Sequence, residues 1–161
     1  MNHYSRFMPG EDLNKLYCAL IRSVLEYSNV IYHPMISNYQ SNRLKGIQKR
    51  CLRVMYGYKK SYGALLEESG LKTLKSRREE QFLKFARKTS ENPNYSDLFP
   101  KKNNDIRTRN YKEYEERFAR TDRLYRSPVY AMRRALNATP TSDHYNSPEY
   151  VDLSFLFNNP N

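Results

Sequence analysis

The sequence predicts an all-α fold, a small bundle of about four helices, because its apolar residues follow a helical spacing. Between Leu13 and Leu25 they recur at alternating intervals of three and one, which places them on one helical face. A strand would instead require a period of two. The helical spacing returns between Leu44 and Met55, and Gly57 follows as a typical helix stop.

The first predicted helix begins at Glu11 or Asp12, because acidic side chains are favourable at the positive end of the helix dipole. It ends near residues 27–29, and its apolar stripe, which includes Leu20, is expected to form core. Residues 30–34 are largely apolar and end in a proline, which disfavours helical geometry at the residue before it. We therefore expect an extended connector after the first helix.

Three further helices complete the predicted body. The second covers residues 39–56 and has an apolar face and an opposite arc of cations. The third covers residues 62–69 and is closed by Gly70. Thr73 is expected to cap a fourth helix, which ends near residue 90. The predicted inner face of the fourth helix contains Leu71, Leu74, Phe82, Phe85 and Ala86.

Changes in composition divide the chain at residues 10, 90 and 137. The predicted parts are a flexible lead-in (1–10), a helical body (11–90), a basic linker with short helices (91–137) and a disordered tail (138–161). Within the linker, a weak helical spacing returns over residues 111–125. The ion pairs expected there are Glu113 with Arg117 and Glu116 with Arg120. Ser127 is expected to cap a last short helix, which begins at Pro128.

The charge of the chain indicates an anionic partner. The net charge is +11, and the isoelectric point is near 9.6. Residues 1–60 carry ten basic and three acidic side chains, whereas residues 138–161 carry three acidic side chains and no Lys or Arg. The positive charge therefore belongs to the helical body, and nucleic acid is the expected partner.

No acidic residue lies between Glu26 and Glu67, and this interval contains the cations of the second predicted helix. Most solvated helices mix both signs for solubility and for pairing, so an arc of one sign is unusual. We predict that the cations of this interval contact nucleic-acid phosphates: Arg43, Lys45, Lys49, Arg50, Arg53, Lys59 and Lys60. A second basic patch in the linker contains Lys101, Lys102, Arg107 and Arg109.

The sequence offers no constellation for catalysis, a metal or another cofactor. Its histidines, His3, His33 and His144, are far apart, and it has no Gly-rich phosphate loop, serine elbow or Asp-Asp pair. Two cysteines are too few for a zinc site, and Cys51 is expected to be a small buried hydrophobe. No secretory segment follows Met1, and no apolar run reaches the length of a membrane span. We expect an intracellular protein with no membrane contact and no small-molecule substrate.

Several short motifs follow one another in order along the chain. They are Leu16-Tyr17, LIRSVLEY at 20–27, VIYHP at 30–34, IQKR at 47–50 with Leu52-Arg53, Gly70-Leu71, Thr73-Leu74, Arg77-Arg78, Arg107-Thr108-Arg109, and the segment from Ser127-Pro128 to Leu136-Asn137. Their order and spacing resemble the region after the polymerase core in jockey-like non-LTR retrotransposon reverse transcriptases. The resemblance covers residues 13–137, and it departs from the family at Tyr32, where Trp is common.

The resemblance implies a thumb-like helical region of an RNA-directed DNA polymerase, which in that family grips the primer–template duplex behind the active site. The sequence shows no fingers, palm or Asp-Asp active-site motif, so the resemblance implies contact with nucleic acid without polymerase activity. The chain is then a non-catalytic C-terminal fragment that contacts the backbone of an RNA or RNA–DNA duplex. Two alternatives remain, namely a basic module that binds acidic proteins and a non-functional remnant of a mobile element.

Overall fold

The computed structural model describes residues 8–102 and 112–139. These residues form an all-α fold, as predicted, and the β pairing within them is limited to a single bridge between Lys101 and Tyr114. Most of the expected lead-in and tail lies outside the described residues. The predicted divisions at residues 10, 90 and 137 therefore stay predictions.

The predicted second, third, fourth and last helices are confirmed as α4, α5, α6 and α8. In chain order the elements are α1 (Gly10–Leu16), a π-helical segment (Tyr17–Arg22), α2 (Ser23–Glu26), α3 (Asn29–Tyr32), α4 (Asn38–Tyr56), α5 (Tyr62–Ser69), α6 (Leu74–Ser90), a 3-10 helix (Pro93–Leu98), α7 (Asp122–Tyr125) and α8 (Pro128–Ala138). None of the described helices is both long enough and apolar enough to cross a bilayer.

Local capping accounts for the limits of α4 and α5. Before α4, the Oγ atom of Ser37 accepts a hydrogen bond from the backbone N–H of Gln40, whose Oε1 atom accepts from the backbone N–H of Ser37. This reciprocal pair satisfies two donors that have no partner within the helix. Gly57 ends α4 with φ 111°, and Gly70 ends α5 with φ 64°, both backbone conformations that side chains with a Cβ disfavour.

The chain divides into two compact units. The first contains the described residues of Met1–Asn29 and Ile36–Arg78, and the second contains those of Val30–Met35 and Glu79–Asn161. In the first unit α1, α4 and α5 pack against one another. The buried apolar residues of its core are Tyr17, Leu52, Met55 and Leu65.

The core of the second unit lies between one face of α6 and one face of α8. Its buried residues are Phe82, Ala86, Phe99, Tyr114, Ala131, Met132 and Ala135. The rings of Phe99 and Tyr114 pack edge to face with their centroids 6.0 Å apart, a favourable aromatic geometry. The predicted inner face of α6 is confirmed at Phe82 and Ala86, but Phe85 is 46% exposed and does not belong to it.

The first helical segment, which comprises α1, the π-helical segment and α2, differs from the prediction. Most of its apolar stripe faces solvent, since the side chain of Leu20 is 66% exposed and that of Val24 is 73% exposed, whereas Tyr17 is buried in the core. A π-helix closes hydrogen bonds between residues five apart, so it takes about one residue more per turn than an α-helix. Leu16 precedes the π-helical segment and is already 44% exposed, so the outward face begins before the π-helical turn. The prediction that Leu20 is core is wrong.

The face that replaces the apolar stripe is partly ionic. Arg22 and Glu26 are half-buried, and the Oε2 atom of Glu26 accepts a hydrogen bond of 3.0 Å from Nη2 of Arg77. The Nε atom of Arg22 lies 4.0 Å from the same carboxylate. Ion pairs therefore hold the end of the first helical segment, where the sequence predicted an apolar seam.

Three shorter predictions are also wrong. Residues 30–34 do not form an extended connector, because α3 occupies most of them. The helix expected over residues 111–125 is limited to α7, and residues 112–120 are irregular. Glu113 pairs with Lys101 and Glu116 with Lys112, at 2.8 and 2.7 Å, in place of the expected arginines. Ser127 occupies the predicted N-cap position of α8, although its side chain forms no capping hydrogen bond.

Candidate nucleic-acid interface

Helix α4 carries five of the cations that the sequence predicts to contact phosphates. Its inner face is defined by the buried residues Gln48, Leu52 and Met55. With about 3.6 residues per turn, cations four apart form a row beside this face, and cations seven apart form a row farther from it. The row beside the inner face contains Lys45, Lys49 and Arg53, and the outer row contains Arg43 and Arg50.

The exposure of these cations largely follows the two rows. Both cations of the outer row are exposed, as is Lys45, whereas Lys49 and Arg53 are half-buried. Arg53 has an interaction partner within the protein. No ion pair links any of the other four cations to a carboxylate within residues 8–102 and 112–139. The structure thus brings four cations without a carboxylate partner to one arc of α4.

Two of these cations lie over tyrosine rings. The guanidinium carbon of Arg43 is 5.9 Å from the ring centroid of Tyr39, and the Nζ atom of Lys45 is 5.3 Å from that of Tyr62. Such contacts attract the cation through the negative face of the ring and contribute about 0.5–1 kcal/mol at exposed sites. The rings help to orient the two side chains without neutralising their charge.

The cations after α4 differ from each other. Lys59 is exposed, whereas the Nζ atom of Lys60 donates hydrogen bonds of 2.7 Å to both carboxylate oxygens of Glu68. A lysine that already holds a carboxylate has less to gain from a phosphate, since it must first give up its partner. The predicted phosphate contacts of Lys59 and Lys60 stay predictions.

Gln48 is fully buried and joins three segments of the first unit. Its Oε1 atom accepts hydrogen bonds from the hydroxyl of Tyr62 at 2.7 Å and from the backbone N–H of Leu74 at 3.1 Å, and its Nε2 atom donates to the carbonyl of Lys72 at 3.0 Å. Burial raises the pKa of Tyr62, so its hydroxyl keeps the proton that it donates. Sequence reasoning missed Gln48, although an amide on the apolar face of a helix was an available signal.

The second basic patch is only partly described. Lys101 pairs with Glu113 at 2.8 Å, and its Nζ atom lies 5.9 Å from the ring centroid of Tyr114. Lys102 is exposed. Arg107 and Arg109 lie outside the described residues, and the second basic patch stays a prediction.

The described residues contain no group of three or more His, Cys, Asp or Glu side chains that could hold a metal ion. Cys18 and Cys51 are free thiols, and both pack at the edge of the core of the first unit. Burial raises the pKa of the Cys51 thiol, which keeps it protonated near neutral pH. Cys51 is half-buried, and its packing agrees with the predicted role of a small hydrophobe.

A cavity of about 390 Å³ in the second unit lies beside Arg133 and Arg134. The Nε atom of Arg133 donates to the carbonyl of Leu98 at 2.7 Å, and Nη1 of Arg134 donates to the carbonyl of Tyr125 at 2.8 Å. Both arginines therefore serve to attach α8 to neighbouring backbone. Arg133 and Arg134 are thus already hydrogen-bonded within the protein, whereas four cations of the arc of α4 have no carboxylate partner among the described residues.

Comparisons with known proteins give no match, whether to protein-family models, to curated proteins or to solved structures. The choice of a function therefore depends on the contacts described above and on the resemblance in the order of motifs.

Proposed function

We propose that the chain is a non-catalytic C-terminal fragment of an RNA-directed DNA polymerase of a retrotransposon, and that α4 contacts the nucleic-acid backbone. One observation carries the proposal. Arg43, Lys45, Lys49 and Arg50 share one arc of α4 and have no carboxylate partner among the described residues. A duplex offers a regular row of phosphates to such an arc, and the release of its counterions favours binding.

The spacing of the outer row suits a phosphate backbone. Arg43 and Arg50 are seven residues apart, which corresponds to a rise of about 10.5 Å along the helix. Successive nucleotides of one strand rise about 3.4 Å along a duplex, so the two arginines span about three nucleotide steps when the helix lies along the strand. Contacts of this kind are insensitive to sequence, because phosphates are the same at every position.

The outward stripe of the first helical segment supports the interpretation as a fragment. Leu16, Leu20, Val24 and Tyr27 lie on this segment and are 44%, 66%, 73% and 80% exposed. Contiguous apolar surface of this kind is usually covered by another protein surface. A helical region that normally packs on the rest of a polymerase would carry such a face.

The proposal is tested by removing the outer row of cations. An Arg43→Gln, Arg50→Gln variant should bind a short labelled RNA–DNA duplex more weakly at every sequence. It should also flatten the plot of log K against log salt by about 1.8, because two phosphate contacts are lost. Fluorescence anisotropy at several salt concentrations measures both quantities.

A matched control removes two exposed cations of α6, Lys84→Gln and Arg87→Gln, and should leave the salt slope close to that of the parent. Equal salt slopes for the parent and the outer-row variant would show that the arc of α4 is only a solvated surface. The proposal would then rest on the resemblance alone.

A second function, binding of an acidic protein, is favoured by the pair between Lys60 and Glu68. This pair shows that a carboxylate can satisfy a cation of this part of the chain. Competition for a labelled RNA–DNA duplex distinguishes the two functions. If nucleic acid is the ligand, unlabelled duplex should displace the labelled duplex at a lower concentration than an acidic protein does. If an acidic protein is the partner, that protein should be the stronger competitor.

A further inference from the structure

A cavity of about 190 Å³ lies in the first unit, between α4 and the start of α6. It is small compared with the roughly 300–1,000 Å³ of pockets that hold drug-sized ligands. The space suits a compact polar group better than a whole nucleotide. Its charged and polar lining consists of Ser41, Asn42, Lys45, Tyr62, Thr73, Lys75 and Arg78.

Hydrogen bonds hold the two walls of this cavity in place. The Nη2 atom of Arg78, on α6, donates to the Oγ atom of Ser41, on α4, at 2.8 Å. Gln48 joins the same helices, because its Oε1 atom accepts from the backbone N–H of Leu74. A cavity whose walls are already fixed loses little conformational entropy when it binds a ligand.

The lining is strongly positive. It contributes three cations, Lys45, Lys75 and Arg78, of which Lys75 and Arg78 also have interaction partners within the protein. None of the described lining residues is a carboxylate. The α6 N-terminus adds the positive end of its dipole, which favours an anion nearby. The backbone N–H groups of Leu74 and Ser76 are occupied by Gln48 and Thr73, so the side chains provide the principal donors.

We propose that this cavity binds one phosphate group of a nucleic acid that lies along α4. The inference rests on the proposed function and adds a defined seat for one phosphate. Lys45 connects the cavity with the proposed nucleic-acid interface, because it belongs to the arc of α4 and also lines the cavity. Hydroxyl, amide and ammonium donors around a compact space match the several acceptor oxygens of a phosphate group.

The test adds one negative charge to the rim of the cavity. Asn42→Asp changes an exposed lining residue to one of nearly the same size, so the fold should be kept. Gln40→Glu is the matched control, because it adds the same charge to the same helix but does not line the cavity. Glutamate is also compatible with the reciprocal cap that Gln40 makes with Ser37. Thermal melting of both variants verifies that they are folded.

Inorganic phosphate is the first probe, followed by two-dimensional NMR of the backbone amides. In the parent and in Gln40→Glu, phosphate should shift the amides of Ser41, Thr73 and Lys75 saturably. Asn42→Asp should weaken this binding at least about tenfold, because it places a like charge beside the phosphate. A parent protein whose cavity amides do not respond to phosphate would overturn the inference.

A short RNA–DNA duplex is the second probe. Asn42→Asp should bind it more weakly than Gln40→Glu does, and its salt slope should be flatter by about 0.9, the share of one phosphate. A duplex with 5′-phosphate ends distinguishes a terminal phosphate from a backbone phosphate as the group that the cavity binds. If the phosphorylated ends strengthen binding to the parent but not to Asn42→Asp, the cavity takes a terminal phosphate, and equal binding to both duplexes assigns it a backbone phosphate.

The results distinguish the cavity from the proposed function. If the parent binds duplex with a salt slope that depends on Arg43 and Arg50, but Asn42→Asp equals Gln40→Glu, the cavity inference fails and the proposed function stands. If inorganic phosphate binds at the cavity but duplex does not bind at all, the proposed function fails. The assignment of the phosphate to nucleic acid then fails with it, and a phosphorylated protein becomes the ligand class.

Discussion

The first helical segment and α4 have similar sequence patterns but use them in opposite ways. Both place apolar residues at helical spacing on one face. In α4 this side of the helix packs on the core through Leu52 and Met55, and the cations remain outside. In the first helical segment the apolar residues Leu20 and Val24 face solvent, and a half-buried cluster of Arg22, Glu26 and Arg77 faces inward.

This difference shows what an amphipathic pattern can and cannot predict. Spacing indicates that a segment is helical, since it depends on local geometry. It predicts the buried face only if the helix keeps about 3.6 residues per turn throughout. The π-helical segment Tyr17–Arg22 breaks that condition for the residues after it, whereas α4 is α-helical over its whole length. Leu16, before that segment, is already 44% exposed, so the tertiary packing also selects the buried face.

The largest expected effect follows from a charge placed in the core that α4 forms. Leu52 is fully buried. Leu52→Asp should lower the free energy of unfolding by about 3–5 kcal/mol, because it buries a carboxylate without a partner. Urea unfolding followed by circular dichroism measures this change. Leu52→Met, which nearly conserves volume, should cost less than about 1.5 kcal/mol. A parent-like midpoint for Leu52→Asp would show that this face is not core.

A smaller effect is expected at the polar centre of the same face. Gln48→Leu should lower the free energy of unfolding by about 2–4 kcal/mol, since it leaves partners at Tyr62, Lys72 and Leu74 without their hydrogen bonds. Tyr62→Phe removes only one of these bonds and should cost about 0.5–1.5 kcal/mol. If Gln48→Leu were as stable as the parent, the hydrogen bonds of Gln48 would make no net contribution to joining α4 to α6.

The smallest effect is expected on the stripe of the first helical segment. Leu20→Asp should change the free energy of unfolding by no more than about 0.5 kcal/mol, because the side chain is 66% exposed. The loss in free energy of unfolding on Leu→Asp substitution is therefore expected to differ by several kcal/mol between Leu52 and Leu20. A loss of several kcal/mol in Leu20→Asp, measured in the same urea titration, would mean that this stripe is covered in solution and that the contrast with α4 is false.

The cations of the candidate interface were predictable because they follow from composition and helical position. The absence of acidic residues between Glu26 and Glu67 selects them, and the limits of α4 place them on one arc. The differences in burial and ion pairing among these cations were not predictable from the sequence. Arg53 is half-buried and Lys60 holds Glu68, because burial and pairing depend on how α4, α5 and the turn between them fold together.

The sequence by itself determined the all-α class and the limits of α4, α5 and α6. Those limits depend on chemistry within a few residues, such as the reciprocal cap of Ser37 and Gln40 and the left-handed backbone at Gly70. Only the tertiary structure decided which face of the first helical segment is buried. It also decided that Gln48 bridges α4 to the start of α6, and that a positive cavity forms there. These features arise between residues far apart in the chain, where no local spacing records which groups will meet.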